Sequence, residues 1–335
     1  MKNKSLRNRI SMGIMGTFIA VFIFSACKKE DSSPALQPQQ SQVKDIAKTL
    51  ETYDQQISYF EQQDLKSSER SYRYDIRRVT FFTLFRALQV TDLTWAVATE
   101  KLTIFAPTDY AFAKLGLNPS NIDKVPNLKE ILLYHVVNGV VFSRDLVSGF
   151  VPTLNGAAVE VSFDKKKIFI NNAGVVLPDI RAFNGVIHVI NAVLLPPAKN
   201  LVEIASANPD FSILVQAVVK AGLADALLAP GPLTVFAPTN DAFKSLLAEL
   251  GASSLDDIDA NTLKSVLLYH VVSGRVYSSD LKTGPVTSLG GTFNVDVKSL
   301  TITDSKNRVS GLVADKLNIQ ATNGVIHVID KVLLP

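Results

Sequence analysis

The sequence predicts mixed helices and strands organised as two tandem domains, and three observations carry that prediction. The chain repeats itself. Leu102-Thr-Ile-Phe-Ala-Pro-Thr-Asp-Tyr-Ala-Phe112 returns as Leu233-Thr-Val-Phe-Ala-Pro-Thr-Asn-Asp-Ala-Phe243 at an offset of 131, and Leu132-Leu-Tyr-His-Val-Val-Asn-Gly139 returns as Leu267-Leu-Tyr-His-Val-Val-Ser-Gly274 at 135. Asn184-Gly-Val-Ile-His-Val-Ile-Asn-Ala-Val-Leu-Leu-Pro196 returns at 139 to close the chain at Pro335. That period is too long for the stacked units of a solenoid. Second, 335 residues with 47% apolar and 19% charged side chains exceed what one hydrophobic core organises. Third, helical three-to-four spacing and strand alternation stand side by side within each copy. The offset grows by four twice, which predicts short insertions in the loops of the second copy, with the seam at Pro196-Pro197.

The first 26 residues read as a signal peptide: Lys2, Lys4, Arg7 and Arg9 precede an apolar run from Ile10 to Phe24, followed by Ser25-Ala26-Cys27. The run is marginal for a spanning helix of roughly 20 residues, an uncleaved inner-membrane anchor being the other reading. Phe24-Ser25-Ala26-Cys27 resembles a bacterial lipobox, in which the cysteine becomes the first mature residue and carries the lipid. Cleavage there removes four basic residues from a chain of 34 Lys+Arg and 31 Asp+Glu, so the formal +3 becomes about −1. Lys28-Lys29-Glu30-Asp31 resembles the charged export tag of Bacteroidetes surface lipoproteins and reads equally as the start of a solvated tether. Residues 27–42 are that tether, since no apolar period runs through them. Val43, Ile46, Leu50, Tyr53, Ile57 and Phe60 then recur at three and four, the stripe of a helix packed on the first domain. The first domain with this helix is 43–196, and the second is 197–335.

Within each copy, residues 102–105 form a short apolar strand ended by Pro107, after which Thr108, and Thr239 in the second copy, can cap a helix. Leu128, Ile131, Leu132 and His135 lie on one helical stripe, as do Leu263, Val266, Leu267 and His270. Residues 159–170 alternate around Asp164-Lys165-Lys166-Lys167, a hairpin with lysines at its turn. The last motif is a strand after an Asn-Gly turn, with Val186, His188 and Ile190 on one face. His135, His188, His270 and His327 are the only histidines, and each is flanked by aliphatic residues with no Asp, Glu or Cys at ligand spacing. They read as buried, hydrogen-bonded structural groups, and no metal site or cofactor is expected.

At these motifs the sequence resembles the fasciclin (FAS1) domain family, twice, over roughly residues 70–196 and 200–335. The resemblance implies an α+β fold: two tandem FAS1-like domains, each a twisted β-sandwich or wedge flanked by helices. It also implies adhesion to cells, matrix proteins or glycans. In animal members, the region of the Tyr-His motif and an Asp-Ile dipeptide before the closing box are associated with receptor adhesion. Here these positions are Tyr134, His135, Asp179 and Ile180, and Tyr269, His270, Asn318 and Ile319. A helix-end packing role for the Tyr-His pair and a strand start for Asp179-Ile180 are the alternatives. The copies depart at Asp109-Tyr110 against Asn240-Asp241, and at Asn191 against Asp330, which questions whether both bind one partner.

Other function classes find little in the chain. A single cysteine, Cys27, excludes an intramolecular disulfide framework, and the small charge with no run of five basic residues gives no reason to expect nucleic-acid binding. Gly-x-Ser-x-Gly, the Walker loop, Gly-x-Gly-x-x-Gly and His-Glu-x-x-His are absent, so an enzyme is not expected. Arg70, Arg73, Arg77 and Arg78 with Tyr72 and Tyr74 would form a basic face for a polyanion if helical, or else a solvated helix face. The reading is therefore an exported fasciclin-domain lipoprotein, held by Cys27 in the outer membrane and recognising an extracellular protein or glycan. Its alternatives are a glycan-binding accessory of polysaccharide uptake and a structural envelope spacer.

Overall fold

The computed structural model describes residues 44–52 and 79–335. Cys27, the signal peptide and tether, Val43, Tyr53, Ile57, Phe60 and the Arg70, Arg73, Arg77, Arg78 stretch lie outside the described residues. A helix covers 46–52 (α1), with Ile46 and Leu50 buried as their spacing predicts. The first repeat continues as α2 (Phe82–Val90), α3 (Thr94–Thr99), β1 (Leu102–Pro107), α4 (Asp109–Ala113), α5 (Leu128–Tyr134), β2 (Val136–Asn138), β3 (Gly149–Pro152), β4 (Ala158–Asp164), β5 (Lys167–Ile170), β6 (Ala173–Ala182) and β7 (Gly185–Ile190). These strands form one sheet in the order β2-β1-β7-β6-β5-β4-β3. The second repeat follows as α6 (Leu201–Ala207), α7 (Ser212–Lys220), α8 (Ala224–Leu228), β8 (Leu233–Pro238), α9 (Asn240–Leu250), α10 (Ala260–Tyr269), β9 (Val271–Ser273), β10 (Gly284–Ser288), β11 (Gly291–Asp296), β12 (Thr301–Thr303), β13 (Val309–Gly311), β14 (Ile319–Ala321) and β15 (Gly324–Ile329). The described residues fall in one compact unit.

The two sequence boxes meet at the centre of each domain. β1 runs parallel to β7 from Leu102 opposite Gly185 to Pro107 opposite Ile190, and β8 pairs with β15 in the same way. All six residues of β7 are buried, so its alternation does not separate a wet from a dry face. Instead Ile187 and Val189 join the core shared with the helices, while Ile190 joins Phe105, Val159 and Ile170 between the two halves of the sheet. That second core makes the folded-over sheet a sandwich. The parallel pair approaches so closely that a Cβ on Gly185 would lie 2.0 Å from the Leu102 carbonyl oxygen, and one on Gly324 would lie 2.2 Å from that of Leu233. These glycines are therefore required by the neighbouring backbone, not by the turn alone.

Their partner asparagines do more than turn the chain. The buried Asn184 accepts from the Ile46 amide at 2.9 Å and donates to the Val97 and Glu100 carbonyls at 2.8 and 2.7 Å, tying α1 and the end of α3 to β7. Asn323 repeats this with Leu201, Leu227 and Ala229. The opening box caps two helices at once. Thr108 and Thr239 accept from Ala111 and Ala242, as predicted, while Asp109 accepts from the Phe82 and Thr83 amides at the start of α2. Asn240 serves α7 through Ile213.

The first insertion of the second copy lies in a helix, not a loop: α9 has 11 residues where α4 has 5, ending at Gly251 in the left-handed conformation. Another widens the turn between β12 and β13. The long β6, already irregular between Val175 and Ile180, is divided in the second copy into β13 and β14 around a 3-10 turn at Ala314–Lys316. The sheet accordingly splits into β10-β11-β12-β13 and β14-β15-β8-β9. No described helix is long and apolar enough to cross a membrane.

Candidate recognition surface

All four histidines are buried, and the backbone partners fix their tautomers. His135 Nδ1 lies 2.8 Å from the Ile131 carbonyl, which only accepts, and Nε2 lies 2.9 Å from the Leu194 amide, which only donates. The ring is thus neutral with its proton on Nδ1, and it ties the end of α5 to the strand of chain leaving β7. His270 does the same between Val266 and Leu333. His188 carries the opposite tautomer: Nε2 donates to Val141 at 2.9 Å and Nδ1 accepts from the Asp179 amide at 3.3 Å. His327 repeats that with Val276 and Asn318. Burial pulls His135 and His270 down to about 4, against the opposing effect of their carbonyl partners. The nitrogen of each ring that lacks a proton is already an acceptor, so none offers a lone pair to a metal. Among the described residues no group of three or more His, Cys, Asp or Glu is arranged to hold one.

Tyr134 and Tyr269 are equally internal. Tyr134 donates to the Ala158 carbonyl at 2.9 Å and accepts from Asn171, and Tyr269 donates to the Thr292 carbonyl at 2.6 Å. With Tyr134, His135, Tyr269 and His270 at most 2% exposed, a ligand on the folded surface meets none of these side chains, and their reading as direct contacts is corrected. They are buried because the stripe that carries them faces the core along the full length of α5 and α10.

The Asp-Ile positions lie nearer the surface. Asp179 and Asn318 adopt positive φ, +62° and +57°. Asp179 accepts from the Ser143 amide and hydroxyl at 2.7 and 2.5 Å, while Asn318 accepts from the Ser278 amide and donates to its hydroxyl. Each thereby holds the loop that follows β2 or β9. Burial works against the Asp179 carboxylate, but its bonds to Ser143, with His188 and Arg181 nearby, outweigh this and hold its pKa below the usual range. Ile180 and Ile319 are half-buried against the helix-side cores. Asn191 and Asp330 are exposed but likewise bond the backbone, accepting from the Gly174 and Gly311 amides. Of the departures between the copies, Asp109/Asn240 and Asn191/Asp330 are therefore local backbone caps, while Tyr110, 55% exposed, stands at the surface where the second copy has the exposed Asp241.

What further distinguishes the copies is the face beside these loops. In the second domain it meets the first. Gln320 brackets Ala158, its Nε2 donating to the Ala158 carbonyl at 2.9 Å and its Oε1 accepting from the Ala158 amide at 3.2 Å. The Tyr277 hydroxyl accepts from the same amide at 3.0 Å and donates to Gln320 at 2.8 Å, while its ring stacks on Phe150 with centroids 4.4 Å apart. Arg275 clasps the carbonyls of Ala321, Thr322 and Gly324 beneath this contact.

In the first domain, the positions of Tyr277, Gln320, Arg275 and Ser279 are taken by Phe142, Arg181, Val140 and Arg144. The Phe142 ring is flanked by two exposed guanidinium groups, Arg181 at 5.0 Å and Arg144 at 5.5 Å from its centroid, with Asp145 3.6 Å from Arg144. The motifs themselves did not single out these residues. The usable signal is that columns 140/275, 142/277, 144/279 and 181/320 exchange chemistry inside stretches that are otherwise alike.

A model of the fasciclin domain matches residues 79–196 and 209–335, leaving α1 and its equivalent α6 outside the matched spans. The chain is similar to Protein sll1483 of Synechocystis sp. (strain ATCC 27184 / PCC 6803 / Kazusa), 41% identical over 147 residues that cover 44% of this chain and 79% of that protein. It is 30% identical to human periostin over 234 residues, 70% of this chain and 27% of periostin. With the transforming growth factor-beta-induced protein ig-h3 of Sus scrofa it shares 31% identity over 245 residues, 70% of this chain and 33% of that one. The chain thus spans a third or less of those two animal proteins. A solved FAS1 domain pair from the insect cell adhesion molecule Fasciclin I is 19% identical, with 76% of this chain and 97% of that one covered at a TM-score of 0.37. From the two matched spans and the duplicated motifs, this chain belongs to the fasciclin domain family and carries two tandem copies of its domain.

Proposed function

We propose that this chain is an exported, non-enzymatic adhesion protein, anchored by lipid on Cys27, whose first domain recognises an extracellular protein or glycan that carries carboxylates. The observation that supports this reading is the pair of equivalent faces. In the second domain the face of Tyr277 and Gln320 is a domain-to-domain contact, while its equivalent in the first bears Phe142 between Arg144 and Arg181. A planar aromatic ring flanked by two guanidinium groups suits a partner presenting acidic groups beside apolar or sugar surface, because guanidinium pairs carboxylate in a bidentate fork. Asp179 shapes this face from behind by fixing Ser143, so the Asp-Ile position contributes through the loop it holds.

The test is an array of matrix proteins and glycans probed with the full chain. Arg144→Glu with Arg181→Glu is expected to weaken binding to the partner found by at least about tenfold, consistent with two lost charge-assisted contacts, without lowering the melting temperature. Unweakened binding by the double variant removes this face from the reading. Selectivity for glycans alone favours the accessory of polysaccharide uptake, and silence on the whole array favours the envelope spacer. Anchoring is tested separately: Cys27→Ser is expected to move the protein from the membrane to the soluble fraction and to remove the acyl mass, since stable attachment needs more than one chain. Unchanged fractionation and mass sink the lipid assignment.

A further inference from the structure

Both domains hold an apolar cavity at the same place, between the helices and the parallel strand pair, and each residue lining the first has its counterpart in the wider lining of the second. In the first domain Leu50, Leu88 and Ile104 reach into it and about 30 Å³ remains. In the second the same positions are Ala205, Val218 and Val235, and about 100 Å³ remains; Leu227 in place of Val97 is a change in the opposite direction. The mouth changes as well. Val219, 65% exposed, lines it beside Leu289, 53% exposed, whereas Gln89 occupies the equivalent position in the first copy. The one titratable side chain in the wall, His270, has both ring nitrogens engaged.

We propose that the second domain binds an aliphatic chain end-first in this cavity. The first copy indicates what fits, because the space left open in the second is the space that the Leu50 side chain and the larger Leu88 fill there. The buried end of the ligand is therefore of leucyl size and carries no polar atom. Water is disfavoured, since a buried water needs two to four polar partners, and apolar cavities of ~150 Å³ stay dry and accept small apolar guests. The exposed Val219 and Leu289 give the emerging part of the chain an apolar path to solvent. This site is independent of the face around Phe142, so either assignment can stand without the other.

The experiment is methyl NMR on the full chain, titrated with octanoate as a free chain and with phosphatidylcholine vesicles as a membrane source. Octanoate is expected to give saturable shifts at the Ala205, Val218 and Leu223 methyls. Ala205→Leu, which restores the filled state of the first copy, should weaken that binding at least tenfold. Val218→Leu provides the same check if Ala205→Leu does not fold. The same shifts with vesicles assign a bilayer-held acyl chain, and shifts with octanoate alone assign a free one. No saturable shift from either probe, or undiminished binding in the filled variants, overturns the proposal.

Discussion

Lowering the pH from 7 to 5 is expected to destabilise the protein by about 4 kcal/mol, with His135 and His270 contributing roughly 2 kcal/mol each. Both rings are fully enclosed and neutral in the fold, with pKa values near 4 against 6.5 for a free imidazole. Below 6.5 the unfolded chain therefore binds protons that the folded chain does not. Stability present in full above 6.5 falls as pH drops, and the loss from these two residues levels off near 4. Burial also lowers His188 and His327, adding to the loss in the same direction. For His188 the Asp179 carboxylate at 3.8 Å offsets part of that burial; His327 has Asn318 at the equivalent place. The second domain should accordingly be the more acid-labile. Urea midpoints at pH 7 and 5 measure this directly. His270→Ala should be less stable at pH 7, because Leu333 N–H and the Val266 carbonyl lose their partner, yet show a smaller difference between the two pH values. Equal midpoints for the parent protein at pH 7 and 5 would contradict the assignment of buried neutral rings.

Asn184→Ala is expected to cost about 3 kcal/mol, at roughly 1 kcal/mol for each of three backbone groups, two buried and one part-buried, that lose their partner. Those groups are the Ile46 amide and the Val97 and Glu100 carbonyls. Because they belong to two helices and Asn184 leads into β7, the loss is not confined to one turn. The first domain should melt earlier by roughly 6 °C or more, a large share of the margin that holds a domain folded. Asn323→Ala should do the same to the second domain through Leu201, Leu227 and Ala229. Calorimetry on the parent and each variant measures this, and a shift smaller than about 2 °C would show that these amides are not what joins helices to sheet.

Local chemistry makes much of the fold legible in the sequence. Thr108 and Thr239 cap where a threonine after proline should, the lysine-bearing hairpin turns between Asp164 and Lys167, and the Tyr-His histidines lie on the buried stripe their spacing marks. What stayed hidden depends on contacts across long sequence separations. Nothing near Asn184 reveals that its amide reaches back to residue 46, nor that Gly185 faces the Leu102 carbonyl. The Tyr-His pair fits both a core and a ligand-contact reading in the sequence, because a helical stripe gives direction without depth. The face around Phe142, Arg144 and Arg181 was missed for another reason. Its residues come from a loop and the end of β6, and only comparison with the occupied face around Tyr277 and Gln320 gives them meaning.

The contact through Ala158 joins unlike surfaces: the start of the interior strand β4 of one repeat against the loop face of the next. Such a head-to-tail joint has polarity, and arrays built on it stay open unless its rotation closes a ring. The side that receives it binds main-chain atoms of Ala158, while the small Ala158 side chain is buried against Tyr277 and Val325, so a larger residue at that position would force the joint apart. A longer array built on the same joint would gain reach with each added module while keeping a single unoccupied face at its leading end. On the proposed reading, the number of free recognition faces in an open array is thus set by direction of assembly and not by the number of repeats.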